Sequence, residues 1–199
     1  MAGMHSDRVE TFSDGVMAVI ITLMAFGVKP PDGHSWDALA NTLPALLIYL
    51  LSFTFIGIYW NNHHHLFRAT HRINVAVMWA NLHLLFWLSL IPVVTAWVGF
   101  EDHYKWPVPA AAYGAVDLGA AIAYTLLVRS IIKANGDDSV VARAIGSDVK
   151  GRISLAMYAA AIPLAFLSPW ISYALYVTVA LIWLVPDRRL ADDVLREEG

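Results

Sequence analysis

Four groups of residues in this chain carry side chains that could do chemistry. Arg8, Phe12, Ser13 and Asp14 stand directly before an apolar run that begins at Val16. A hydroxyl and a carboxylate at the mouth of an apolar helix can cap it by accepting from its first free N–H groups. They can also pair with groups on neighbouring helices, because ionisable residues at membrane depth are costly alone. Local chemistry leaves both open. The second group is His63, His64 and His65, with His71 and His83 further on. Imidazole is a common metal ligand. Consecutive helical residues, however, project about 100° apart, so three in a row cannot converge on one ion. Only pairs such as His64 with His71, or Asn61 with His65, share a face; no metal site is assigned.

The third candidate is Asp117, which interrupts an Ala- and Gly-rich stretch suited to close helix packing. A carboxylate there could carry protons for a coupled transporter, or simply hydrogen-bond between helices. The fourth is a pattern. Gly15, Val19, Leu23 and Phe26 recur at helical spacing along one stripe, with Thr22 beside it. Around a symmetry axis, Gly15 would leave a wide mouth and Val19, Leu23 and Phe26 would stack as apolar rings. Thr22 would supply the one hydroxyl among them. Hydrophobic constrictions that gate by dewetting are a recognised channel device. The same stripe also suits an ordinary membrane helix, and periodicity alone does not separate the two. No Gly-x-Ser-x-Gly, His-Glu-x-x-His or phosphate-cradling glycine loop is present, which argues against an enzyme.

The elements that must position these groups follow from composition. Of 199 residues, 58% are hydrophobic and 15% charged, against about 45–50% and about 25% in soluble domains. The balance predicts a membrane protein. A net charge of −3 gives no reason to expect nucleic acid as a partner, and the absence of cysteine excludes disulfides and thiolate chemistry. Asp7, Glu10 and Asp14 crowd what should be a basic leader region, so the first apolar segment is read as a retained helix.

A hydrocarbon core about 30 Å thick takes roughly 20 apolar helical residues. Six stretches are read as spans of one domain over residues 1–199: about 12–28, 38–61, 74–98, 108–132, 153–167 and 170–185. The first would be only about 25 Å long, marginal for a lipid-facing helix. The last two read as a tight hairpin about Ser168 and Pro169, and one helical turn is expected near 140–145. Positive charge sets the orientation. The amino end (Arg8), the second loop (Arg68, Arg72), the fourth loop (Arg129, Lys133, Arg143, Lys150, Arg152) and the tail (Arg188, Arg189, Arg196) alternate with loops holding only Lys29 and Lys105. Both termini are therefore expected on the cytoplasmic side.

Three ordered blocks carry a family resemblance. Arg8-x-x-x-Phe12-Ser13-Asp14-Gly15 opens the first span. Trp60-Asn61-Asn62-His63-His64-His65-Leu66-Phe67-Arg68 closes the second, and Trp79-Ala80-Asn81-Leu82 with Leu90-Ile91-Pro92 lies in the third. Together they resemble the transmembrane protein 175 family of potassium channels; the second half resembles it only in hydropathy. The resemblance implies an all-α chain of six transmembrane helices, assembled in bacteria as a homotetramer with the first helix lining a central pore. It implies a constriction at Val19, Leu23 and Phe26, although Val19 is smaller and Phe26 larger than the family's usual residues. Thr22 falls at a position linked to cation selectivity, with Gly15 at the mouth. Arg8, Phe12, Ser13 and Asp14 would then form a structural motif. Ser13 and Asp14 would hydrogen-bond to the second and third spans, with His64, Trp79 and Asn81 as candidates.

The segment from Thr95 to Asp102 superficially resembles a carbonyl-lined filter, but Glu101 stands where a second glycine should be. A helix end running into an outer loop is expected there. The expected function is a potassium-permeable, potassium-selective cation channel in a bacterial cell membrane. Its partners would be potassium ions and the lipid bilayer, with no cofactor. The competing reading is a proton-coupled secondary transporter using Asp117.

Overall fold

A computed structural model describes residues 6–146 and 148–184. The end of the sixth expected span and the tail arginines Arg188, Arg189 and Arg196 lie outside the described residues. Within them the chain is all-helical, with seven α-helices: α1 (Ser6–Gly27), α2 (Trp36–Arg68), α3 (Val75–Gly99), α4 (Pro107–Asn135), α5 (Val140–Ile145), α6 (Val149–Leu164) and α7 (Pro169–Leu184). A short 3-10 turn, His103–Lys105, links α3 to α4.

Local chemistry sets the ends. Ser35, Asn74, Ser139 and Asp148 each cap a helix by accepting from the backbone N–H three residues on. Pro107 opens α4, where its missing N–H has no cost. Pro44, Pro92 and Pro163 sit inside α2, α3 and α6. The filter-like segment is the end of α3, closed by the Phe100 N–H donating to Trp97 O.

Four helices, α1 to α4, are long and apolar enough to cross a membrane. The helices α6 and α7 have 16 residues each, about 24 Å, and pack on each other as a hairpin. The first helix corrects an expectation. It begins at Ser6 rather than near Phe12 and runs for 22 residues, about 33 Å, so it is not too short to span. Ser13 and Asp14 thus lie two turns inside α1, and neither caps it.

The helix α3 is the hub, packing most extensively on α4 and also on α1 and α2. Buried hydroxyls tie the hub together. Ser52 Oγ lies 2.7 Å from Thr95 Oγ1 and 2.8 Å from Tyr113 OH, joining α2, α3 and α4. Tyr176 OH of α7 donates to Ala110 O of α4 at 3.0 Å. Apolar packing gives little drive to hold helices together in lipid, so such bonds and small-residue contacts do that work.

Candidate functional site

The helix α1 has two faces with opposite fates. Ser13, Met17, Ile20 and Met24 are buried against α2 and α3. On the other side Gly15 and Thr22 are exposed, Val19 is 55%, Leu23 54% and Phe26 87% exposed. A continuous apolar stripe is therefore left uncovered by the rest of the chain. Thr22 Oγ1 donates back to Ala18 O at 3.0 Å and Val19 O at 2.8 Å. Its hydrogen is thereby spent within the helix, and its oxygen remains an acceptor on the exposed side.

The buried face is pinned at its polar end. Asn81 Nδ2 of α3 donates to Ser13 Oγ at 2.9 Å, and Asn81 Oδ1 lies 2.8 Å from His63 Nε2 of α2. Ser13 Oγ in turn donates to Val9 O at 2.8 Å. All three side chains are buried. Two further contacts flank them on the half-exposed side. Trp60 Nε1 donates to Asp14 Oδ1 at 3.1 Å, and His64 Nδ1 pairs with Glu10 Oε1 at 2.6 Å.

The structure keeps the expected pattern in part: Ser13 bonds to α3 and Asp14 to α2, but only one of the three expected partners is used. Asn81 holds Ser13. His64 reaches Glu10 rather than Ser13 or Asp14. Trp79 is 68% exposed, and among the described residues it is not a hydrogen-bond partner of either; Trp60 fills its place. The reason is helical phase: His63, not His64, lies on the strip of α2 that faces the seam between α1 and α3. Phe12 and Arg8 are exposed. Glu10, Trp60 and His63 carry contacts that inspection of single residues missed. A signal was present, however. Glu10, Ser13 and Asp14 stand at i, i+3 and i+4, and so do Trp60, His63 and His64. Two antiparallel helices with matched triplets of this kind can zip together, Glu10 to His64 and Asp14 to Trp60.

Among the described residues, no three His, Asp or Glu side chains converge as a metal site would require. Asp117 is buried on α4, and its Oδ2 has no hydrogen-bond partner among the described residues.

Sequence comparison decides the family. The family model described as "Endosomal/lysosomal potassium channel TMEM175" matches residues 8–92, which contain most of α1, all of α2 and most of α3. A potassium channel of Chryseobacterium sp. (strain P1-3) is 48% identical over 187 residues, covering 94% of this chain and 96% of its own. The chain belongs to the TMEM175 family. A potassium channel of Streptomyces collinus is 37% identical over 129 residues, covering 62% of this chain and 63% of that one. In three dimensions the chain is similar to the crystal structure of a lysosomal potassium-selective channel TMEM175 homolog from Chamaesiphon minutus. The TM-score is 0.81 at 28% identity, with 92% of this chain and 97% of that one covered. Family membership together with four membrane-length apolar helices makes this TMEM175 relative a multi-pass membrane protein. The residues that lock α1 to α2 and α3 all fall inside the matched segment.

Proposed function

We propose that this chain is the pore-forming subunit of a potassium channel. Four copies would surround a central path lined by α1, and conduction would be passive, without a cofactor. Membership in a family of ion channels sets it apart from enzymes. One observation carries the reading. The helix α1 is bonded to its own chain along one face and leaves Val19, Leu23 and Phe26 uncovered along the other. A helix held so firmly, with a bare apolar stripe and the Thr22 hydroxyl oxygen as an outward acceptor beside it, is built to present that stripe to something outside the chain. Facing copies of the same stripe would form the constriction, with Thr22 offering oxygen to a cation between the rings and Gly15 widening one mouth.

The proposal includes six crossings, with α6 and α7 as the two short ones, and both termini on the cytoplasmic side of the cell membrane. The charge asymmetry between alternate loops supports that orientation. Glu10, Ser13 and Asp14 would hold the pore helix rather than touch the ion, because each is already engaged by a neighbouring helix or faces one.

Flux from proteoliposomes loaded with potassium tests the channel reading. Current should vanish at the potassium equilibrium potential and continue without a proton gradient. Transport that requires a proton gradient would instead favour a coupled transporter working through Asp117.

A further inference from the structure

We propose that the outer face of α2 docks against the outer face of α3 of a neighbouring copy of this chain, where Asn61 accepts a hydrogen bond from His83. The inference deepens the four-copy reading above and rests on it.

Two polar side chains are exposed well inside their helices. His83 lies eight residues into α3, about 12 Å along it, and Asn61 lies seven residues before the end of α2, about 10 Å. Both are exposed. Trp87 Nε1 donates to His83 Nε2 at 3.0 Å, so the ring hydrogen of His83 is on Nδ1. That N–H donates to none of the described residues, and the Asn61 amide bonds to none of them. Polar groups at membrane depth are costly when left facing lipid. One side chain here offers a donor and the other an acceptor.

The two groups sit at one level. His63 of α2 touches Asn81 of α3 at 2.8 Å, and Ser52 touches Thr95 at 2.7 Å, so the two helices run antiparallel with His63 and Asn81 at the same depth. Asn61 is two residues from His63 and His83 two residues from Asn81, both toward the same side of the membrane. Each is therefore about 3 Å from the level of that contact and turned about 200° away from it. Within one chain the two point apart.

A ring brings them together. Closed rings use heterologous contacts, in which two different faces of the same chain meet. The helix α1 packs on both α2 and α3. With its bare stripe turned to the axis, α2 and α3 flank it and are presented to different neighbours. Rotation about an axis normal to the membrane preserves depth, so Asn61 of one copy meets the level of His83 of the next. Shape agrees one turn further along. A Cβ added at Gly57, four residues before Asn61, meets nothing within 4 Å. Phe86, three residues after His83, is 55% exposed, and its ring has room beside Gly57. Interhelical hydrogen bonds and close approach at small residues are what hold membrane helices together.

The chain has no cysteine, so thiols can be placed without background. Asn61→Cys and His83→Cys in one chain, treated in membranes with a short bifunctional thiol reagent, should give covalent dimers, trimers and tetramers on a denaturing gel. Each single variant alone should stay monomeric, and the two co-expressed should give dimers only. Asn61→Cys with Trp97→Cys, about 21 Å along α3 from His83, should give no linked product. Monomer alone from the first pair is what lipid on both faces predicts, and it overturns the proposal. A single variant that links to itself also overturns it, because like faces would then meet. Should the paired variant fail to assemble, Gly57→Leu decides. Native mass spectrometry should show at least a tenfold loss of tetramer while circular dichroism keeps the helical signal, and undiminished tetramer overturns the interface. The mass and potassium flux of the wild type are read separately. A monomeric wild type without flux counts against the channel reading itself, whereas a conducting tetramer without cross-links counts against this face alone.

Discussion

Asn81 of α3 and Ser13 of α1 meet side chain to side chain, Nδ2 donating to Oγ at 2.9 Å, where both are buried. The direction of this bond is fixed by its neighbours. The Ser13 hydrogen is committed to Val9 O, so Ser13 can only accept from Asn81. The Asn81 carbonyl oxygen then faces His63, and His63 Nε2 must carry the hydrogen that fills the 2.8 Å contact. One amide thus fixes the relation of three helices.

Asn81→Asp is therefore expected to be worse than its size suggests. It puts a second acceptor against Ser13 Oγ, which has no hydrogen left to give. Unmade buried bonds of this kind cost about 1–3 kcal/mol each. The melting temperature in detergent should fall clearly, Ser13→Ala should fall less, and the potassium reversal potential should not move in the molecules that survive. Wild-type stability with altered ion preference would mean that Asn81 meets the conduction path.

Leu23 sits in the middle of the exposed stripe, between Val19 and Phe26. With Val19 and Phe26 it is expected to form one of the rings of the constriction. Leu23→Ala should widen it and Leu23→Asn should wet it, each raising single-channel conductance or weakening potassium-over-sodium preference. Because Leu23 is 54% exposed in the single chain, neither change should disturb folding of the monomer. Unchanged permeation in both variants, with assembly intact, would remove Leu23 from the pore.

How much of this could be read from sequence depended on whether an element was defined by its own residues. Apolar run length located the helices, and the exposed stripe of α1 emerged from spacing alone. The start of α1 did not, because Asp7, Arg8 and Glu10 look like a loop until their partners are known. Thr11 Oγ1 donates to Asp7 O at 2.7 Å and Glu10 pairs with His64 across to α2, so these polar turns are held as helix. The seam partners were illegible for a related reason. Sequence gives the spacing within Trp60, His63 and His64, but the rotation of α2 about its axis decides which of them meets α1. That rotation is set by packing among three helices.

Asp14 and Trp60 form the outer rung of the same seam. Trp60 is 45% exposed, so the bond competes with water and is worth about 1 kcal/mol or less. Asp14→Asn keeps an acceptor in place and should assemble normally. Asp14→Ala should reduce yield of assembled protein modestly on size-exclusion chromatography while selectivity holds. A variant that assembles fully but reverses ion preference would place Asp14 in the ion path.

Asp117 separates the two transport mechanisms most cleanly. Asparagine has nearly the same shape and volume but cannot exchange a proton. A passive channel should therefore conduct potassium at close to the wild-type rate in Asp117→Asn, with any change confined to stability. Proteoliposome flux driven by potassium alone measures this directly. Abolished flux with folding preserved would revive the proton-coupled reading.

The close approach of α7 to α4 yields the last prediction. A methyl group added at Gly114 would collide with the hydroxyl end of Tyr176, which is also the group that donates to Ala110 O. The ring of Tyr176 is buried between Tyr113, Tyr158 and Tyr173, so it has little room to retreat. Gly114→Ala should therefore destabilise the protein by about 1–3 kcal/mol, the usual cost of overpacking. Tyr176→Phe alone loses one buried hydrogen bond. In the double variant the hydroxyl that causes the worst clash is gone, so the combined loss should be smaller than the two single losses added together. A thermal double-mutant cycle reads that coupling; strictly additive losses would show that Gly114 is required for some reason other than the Tyr176 contact.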